Sequence, residues 1–418
     1  MFLSGKNKTL RRYIKNIFTP QFWYVVCRGF FMSIFRFLQY ILLSAGFITG
    51  IVSCTGRGQH ASVTPAVASD SALVEFARGF TMQKDGDITL LTVSNPWQGA
   101  QNVMYRYALC PKGKELPAEY SQYTVIYTPV ERVICLATTH VAMISALGKT
   151  SSIKALSGAA FVSDTFVRKD IENGLVVDIG YEQGLNYEKI ISMNPDVIFA
   201  YSVGGEVSGS MARLAGLGQK VVFNAEYLER TALGKAEWLK FIAAFYGCET
   251  QASEQFNAIR DEYLSLCQLV KDRERKPKIL CGLPWQGIWH IPGGESWMAA
   301  MIADAGGDYI WKENRSHEGV PVNIETIVHQ GGAADLWMNT GAARSLAEIR
   351  SVDERLSLIQ PFKAGAVYNN CVRTGAGGGN DFFESGVVNP HIILKDMIKI
   401  FYPDLLAAHQ LYYYMKLE

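Results

Sequence analysis

The sequence predicts an α/β protein of two Rossmann-like lobes with mostly parallel sheets, joined by one long rigid helix. A ligand cleft is expected between the lobes, and an extra β-rich stretch precedes them. Three observations predict this. Short apolar segments alternate with helix-periodic ones over residues 129–249, and the rhythm restarts after residue 277. Between the two runs lies "ETQASEQFNAIRDEYLSLCQLVKDRERKP". Its Ala252, Phe256, Ile259, Tyr263, Leu266 and Val270 are spaced four, three, four, three and four apart, one face of a single helix. Ahead of the first run, residues 73–128 hold only strand-like segments.

Each element follows from its local pattern. "DITLLTVSNPW", "NVMYRYALCP" and "YTVIYTP" alternate or run apolar between Pro and Gly punctuation. In the first lobe, "RVICLA", "SIKALSG", "LVVDIG", "DVIFAYS" and "KVVFNAE" read as strands. "THVAMISALG", "YEKIISM", "SMARLAGLG" and "AEWLKFIAAFYG" read as helices. The joining helix, of roughly 25 residues, would span about 37 Å, and Pro277 closes it. In the second lobe "KPKILCGL", "GIWHIPG", "DYIW", "DLWMNTG" and "GAVYNN" read as strands. "SWMAAMIADAGG", "NIETIVHQ", "SLAEIRSVDERL" and the segment from "NPHIILKDMIKIF" read as helices. The domain plan is an export region (1–53), a tether (54–72), a β-rich extension (73–128), a first lobe (129–249), a connecting helix (250–276) and a second lobe (277–418).

Composition narrows the function. A 49% hydrophobic chain of 418 residues can form two or three cores. A net charge of +1 carries no basic stripe of the kind a nucleic-acid partner needs. The N-terminus differs from the rest: a basic "KNKTLRRYIKN" leads to an uncharged run from Phe37 to Val52, the length of a secretory h-region and short for a membrane span. That run ends in "IVSC", which resembles the lipobox of bacterial lipoproteins. The resemblance implies that Cys54 becomes the lipidated first residue, anchoring the chain to a membrane. "TGRGQHASVTPAVASDSA" follows as a flexible tether. Met32 to Cys54 alone makes a complete signal, so Met32 competes with Met1 as the start. The other cysteines, Cys27 apart, are Cys110, Cys135, Cys248, Cys267, Cys281 and Cys371; they form no C-x-x-C pair, and no disulfide pairing can be read from them.

Catalytic motifs are scarce. There is no G-x-S-x-G, no H-E-x-x-H and no phosphate loop, and the seven histidines show no metal-ligand spacing. "TGAGGGND" lacks the Lys and Ser/Thr of a phosphate loop and reads as a flexible loop. No catalysed reaction, no cofactor and no metal site are expected. Aromatic residues carry more signal. "LPWQGIWHIPGGESW" gathers Trp285, Trp289, His290 and Trp297, and "NDFFESG" sets Phe382 and Phe383 beside Asp381. "IGYEQG" and "AYSVGG" place Tyr181 and Tyr201 at strand ends, where open α/β sheets bind ligands. Aromatic faces with a few polar groups suit a large, flat, partly apolar ligand.

The order "TPVERVICLATTHVAMISALGKTSSIKAL", "GLNYEKIISMNPDVIFAY", "LAGLGQKVVFNAE", "GGESWMAAMIADAGGDYIW" resembles the helical-backbone substrate-binding proteins of ABC importers, the cobalamin and iron-siderophore binders. The likeness covers about residues 129–403. It implies a monomer that carries a metal chelate to an ABC permease and its ATPase. It further implies one exposed glutamate per lobe that docks on permease arginines. By motif these are Glu188 in "NYEKIISMNPD" and Glu325 in "NIETIVHQGGAAD", each behind an asparagine suited to cap a helix. Thr139, His140, Tyr201, His290, Asp381 and Phe382 fall near positions that resemble ligand contacts, with Asp381 and His140 as orienting polar groups. The chain departs from the cobalamin binders at Glu182, where they carry an aromatic residue, and at Glu384, near an expected arginine. A ferric siderophore, haem and cobalamin therefore all stay open, and Arg373 offers a partner for an anionic chelate. A chelatase-like enzyme and a surface interaction protein working through the β-rich extension are the rival readings.

Overall fold

The computed structural model describes residues 73–181, 184–202 and 205–418; Cys54, the tether through residue 72 and Glu182 lie outside the described residues. The β-rich stretch forms one four-stranded sheet in sequence order: β1 (Phe80–Asp85), β2 (Ile88–Ser94), β3 (Met104–Pro111) and β4 (Thr124–Thr128). The first lobe is a five-stranded parallel sheet of order β7-β6-β5-β8-β9, made of β5 (Val133–Cys135), β6 (Ile153–Leu156), β7 (Val177–Asp178), β8 (Val197–Ala200) and β9 (Val221–Phe223). Its helices are α1 (Thr138–Ala146), α2 (Thr165–Glu172), α3 (Tyr187–Ser192), α4 (Gly205–Gly216) and α5 (Ala232–Ala244).

The connecting helix α6 (Glu249–Val270) has 22 residues, about 33 Å at 1.5 Å per residue. Ala252, Phe256, Tyr263, Leu266 and Val270 of the predicted face are buried, and Ile259 is half-buried. Ala252 joins the core of the first lobe; Tyr263, Leu266 and Val270 join that of the second. Helix α5 crosses the same boundary, because its Ala232 and Leu233 belong to the second core. The lobes therefore pivot on a pair of packed helices.

The second lobe is a five-stranded sheet of order β12-β10-β14-β15-β16. Its strands are β10 (Lys278–Cys281), β12 (Asp308–Tyr309), β14 (Leu336–Met338), β15 (Val367–Asn369) and the antiparallel edge strand β16 (Met415–Lys416). A separate antiparallel pair is formed by β11 (Trp289–Pro292) and β13 (Gly319–Val322). "GIWHIPG" is thus a strand, but it lies outside the main sheet. The helices are α7 (Trp297–Asp304), α8 (Ile324–Gly331), α9 (Leu346–Val352), α10 (Gln360–Lys363) and α11 (Pro390–Phe401). Side-chain caps set many starts: Asp164 for α2, Asn186 for α3, Thr231 for α5, Ser296 for α7, Asn323 for α8 and Ser345 for α9.

The β-rich extension is continuous with the first lobe. Phe80 packs on Trp238 and Phe241, ring centroids 4.7 and 5.2 Å apart. Tyr105 and Trp97 cover Phe223 at 4.6 and 5.8 Å. The Phe223 amide donates to the buried Tyr107 hydroxyl at 3.0 Å. The segment entering β1 has no ladder of its own, and carboxylates on and before α5 supply its partners. Glu237 accepts from the amides of Glu75, Phe76 and Ala77 at 2.9, 2.7 and 2.8 Å, and Glu229 from those of Arg78 and Gly79. Lys240 balances Glu237 at 2.8 Å and reaches the Leu73 carbonyl at 3.2 Å.

Glu237→Ala strands Lys240 and a run of amides in the interior. It should cost about 3–5 kcal/mol, read as a lowered urea midpoint. A loss under about 1 kcal/mol would mean that the amides find other partners.

Candidate functional site

The strand orders reverse between β5 and β8 in the first lobe and between β10 and β14 in the second. Such switch points put a crevice beyond the strand C-termini. The two crevices face each other across a cleft of about 580 Å³. Phe161, Tyr181 and Tyr201 wall it from the first lobe, and Arg344, Cys371 and Phe383 from the second. Tyr181 is 46% exposed and stands edge-on to Phe161 at 5.6 Å. Thr138, the first residue of α1, lines the floor, and no side chain caps that helix. Its first amides, with the Arg344 guanidinium, bias the cleft toward negative charge. No carboxylate is among the described lining residues.

Two contacts seal the lobes together beside the cleft. The glycine-rich loop after β15 lies on the first lobe's chain. A Cβ at Gly377 would sit 2.0 Å from the Ala160 carbonyl oxygen, and one at Gly379 would sit 1.8 Å from that of Phe161. Only glycine permits this approach. Beneath it the buried Glu384 carboxylate accepts from the amides of Ser163 and Asp164, both at 2.7 Å. Burial pushes the Glu384 pKa up to about 7, over the opposing pull of those two amides, and the nearby Asp381 and Asp164 add to the rise.

The family "Periplasmic binding protein" matches residues 133–368, more than half of the chain. The chain belongs to this family. Among curated proteins it is similar to an uncharacterized lipoprotein of Methanocaldococcus jannaschii, 25% identical over 303 residues that cover 70% of each chain. A second uncharacterized lipoprotein of that organism is 26% identical over 261 residues, 59% of this chain and 63% of the relative. Among solved structures it is similar to a possible iron-binding (periplasmic solute-binding) protein from Staphylococcus epidermidis. The TM-score is 0.52 at 18% identity, covering 66% of this chain and all of the other. A periplasmic heme binding protein from Pseudomonas aeruginosa gives a TM-score of 0.51 at 13% identity, covering 66% and 94%. These likenesses agree with the two-lobed α/β fold described above.

Within this periplasmic binding protein the residues singled out from sequence separate. Tyr181 and Tyr201 share the cleft. Thr139 and Phe382 line a neighbouring cavity of about 330 Å³, with Phe383 as a wall common to both. Others need correction. His140 is on the inward side of α1, fully buried against Phe199 with ring centroids 6.2 Å apart, and burial lowers its pKa to about 3. It is a neutral core residue, not a cleft group. Trp289 is fully buried, stacked on Trp337 at 5.6 Å, and donates to the Cys281 carbonyl at 3.0 Å. His290, one place along β11, is turned outward, and Trp285 is exposed in the preceding turn, bridged to Ile288; neither lines the cleft. Asp381 is buried and held by Arg373 at 2.5 Å, while Arg373 lies over the Tyr412 ring at 4.4 Å. The acid and base expected to meet a ligand instead meet each other.

Arg344 and Phe161 carry no motif that marks them for the cleft, whereas Phe383 belongs to the aromatic pair of "NDFFESG". The signal for Arg344 is its position six residues beyond the end of β14, where a strand's C-terminus opens on the crevice.

Glu188 and Glu325 both lie in the first turn of their helices, behind the capping Asn186 and Asn323, and both are exposed. Helices α3 and α8 each run back toward the start of the next strand. The pair is not equivalent. Arg355 binds Glu325 at 2.6 Å while also holding Asp353 at 2.7 Å. The helix amide and Arg355 keep the Glu325 carboxyl below the usual range.

The Glu384 seal predicts a pH dependence. Its folded pKa of about 7 lies above the ordinary 4.5, so the folded chain keeps a proton that the unfolded chain has released. That stabilisation is complete below the unfolded value and is lost as pH rises through about 7, on the order of 3 kcal/mol in all. Urea midpoints should fall across this window in the native chain. Glu384→Gln should flatten the slope, and an unchanged slope would assign the titration to another group.

Proposed function

We propose that this chain is a lipid-anchored extracytoplasmic solute-binding protein that captures a metal chelate and delivers it to an ABC importer. The carrying observation is the cleft: opposed aromatic walls at the strand C-termini of both lobes, with Arg344 as the cation among its lining residues. Aromatic faces supply contact area for a flat or bulky chelate, and Arg344 selects those that carry negative charge. The names of the two structural neighbours, one possible iron-binding and one heme binding, support this class. An anionic chelate, whether haem with its carboxylates or a ferric siderophore, suits Arg344 better than cobalamin does. Cys54 provides the anchor, consistent with the lipoproteins among its relatives.

The test is to purify residues 56–418 and titrate haem, ferric siderophores and cobalamin by tryptophan quenching. Haem or a ferric siderophore should saturate the protein. Arg344→Ala should weaken that binding about 10- to 100-fold, the worth of a charge-assisted hydrogen bond. If no chelate binds, the reading is wrong.

Glu188 and Glu325 are the proposed docking groups. Two separated rim charges set orientation and steer encounter with permease arginines. The double change Glu188→Arg, Glu325→Arg should abolish uptake in cells while leaving chelate affinity unaltered. Uptake that persists would remove the docking assignment.

A further inference from the structure

The smaller cavity beside the cleft contains a buried acidic side chain. Glu226 follows β9 and is only 3% exposed. Its Oε2 has no hydrogen-bond partner, and the residue lines a cavity of about 330 Å³. The walls are apolar: Trp297 and Met301 from α7, Phe382, and Ile393 from α11. Beside Glu226 stands Lys235 of α5, its ammonium 5.4 Å from the centre of the Trp297 ring. Lys235 reaches the Glu226 main-chain oxygen at 3.4 Å; the Thr139 hydroxyl and the amides of Glu226 and Tyr227 approach the carboxyl, and its Oε2 alone has no hydrogen-bond partner. A buried carboxylate oxygen without a donor is costly. An apolar chamber with one acceptor and one donor at its end is the pattern of a small-molecule subsite, at the small end of the usual size range.

We infer that this chamber is a binding subsite for a compact apolar group bearing an amide or hydroxyl. The group's donor goes to Glu226 Oε2, its acceptor to Lys235, and its hydrocarbon between Trp297, Met301 and Phe382. Phe383 lines both chamber and cleft and is 57% exposed, so one ring separates the two spaces. The group is either a side arm of the cleft ligand or a separate small molecule; only the first alternative rests on the chelate reading above.

The test uses the purified chain 56–418, with benzamide as the fragment probe and ethylbenzene as its donor-free counterpart. Benzamide should bind saturably, followed through the tryptophan emission, and more tightly than ethylbenzene. Met301→Trp, which fills the chamber, should weaken it about tenfold or more. Glu226→Gln keeps the volume and should reduce the preference over ethylbenzene, because a neutral amide oxygen accepts more weakly than a carboxylate. The ferric complexes of benzohydroxamate and acetohydroxamate distinguish the sources. For a side arm, the phenyl-bearing complex binds about tenfold tighter, and that ratio collapses toward one in Met301→Trp. For a separate molecule, benzamide and the acetohydroxamate complex bind together without competing. Either result supports the subsite. Benzamide binding that depends on Met301, with no chelate bound at all, keeps the subsite and sinks the chelate reading. The inference is overturned if benzamide does not saturate and the two ferric complexes bind equally, or if benzamide binding ignores both substitutions.

Discussion

Buried carboxylates that receive consecutive main-chain amides hold this molecule together at three of the described places where the chain has no ladder of its own. Glu237 and Glu229 take up the amides of residues 75–79. Glu384 takes those of Ser163 and Asp164. Asp396, fully buried in α11, takes those of Tyr412, Tyr413 and Tyr414 and pairs with His409 at 2.6 Å. Each such segment crosses from one element to another with unpaired donors that must be satisfied before they can be buried. A carboxylate meets several of them at once with strong hydrogen bonds. These joints tie the β-rich extension to α5, one lobe to the other, and the C-terminal edge strand to its helix.

The joints also explain the hinge. Helix α5 carries Glu237 and Lys240, gives Trp238 and Phe241 to the first core, and gives Ala232 and Leu233 to the second. The β-rich extension packs on the same helix, so it braces the pivot and does not form an independent module. Helix α6 alone would be a rod between two bodies. With α5 and the extension beside it, the rod is set in a wall.

Much of this was legible in the sequence because it rests on periodicity. The stripe from Ala252 to Val270 identifies α6, and the alternation of strand and helix identifies both lobes. Asn186 and Asn323 cap their helices as their spacing before Glu188 and Glu325 suggests. What stayed hidden depends on direction and on distant contacts. His140 lies next to Thr139, but successive helical residues point about 100° apart, which turns one into the core and the other into a cavity. Trp289 and His290 divide in the same way across the two faces of a strand. Asp381 and Arg373 are eight residues apart, and their pairing is made by a loop whose shape no local pattern reveals. The strand β16 is two residues long and carries no periodic signal.

The glycine-rich loop joins the lobes through main chain alone, with Gly377 and Gly379 set against the carbonyls of Ala160 and Phe161. A contact of that kind contains almost no side-chain information. It can be destroyed by substitution at the glycines but hardly tuned by substitution around them. The walls behind it, Tyr181, Arg344 and Phe383, are ordinary exposed side chains that can be exchanged one at a time. Lineages of this chain could therefore change the molecule they carry while the docking of one half on the other is inherited intact.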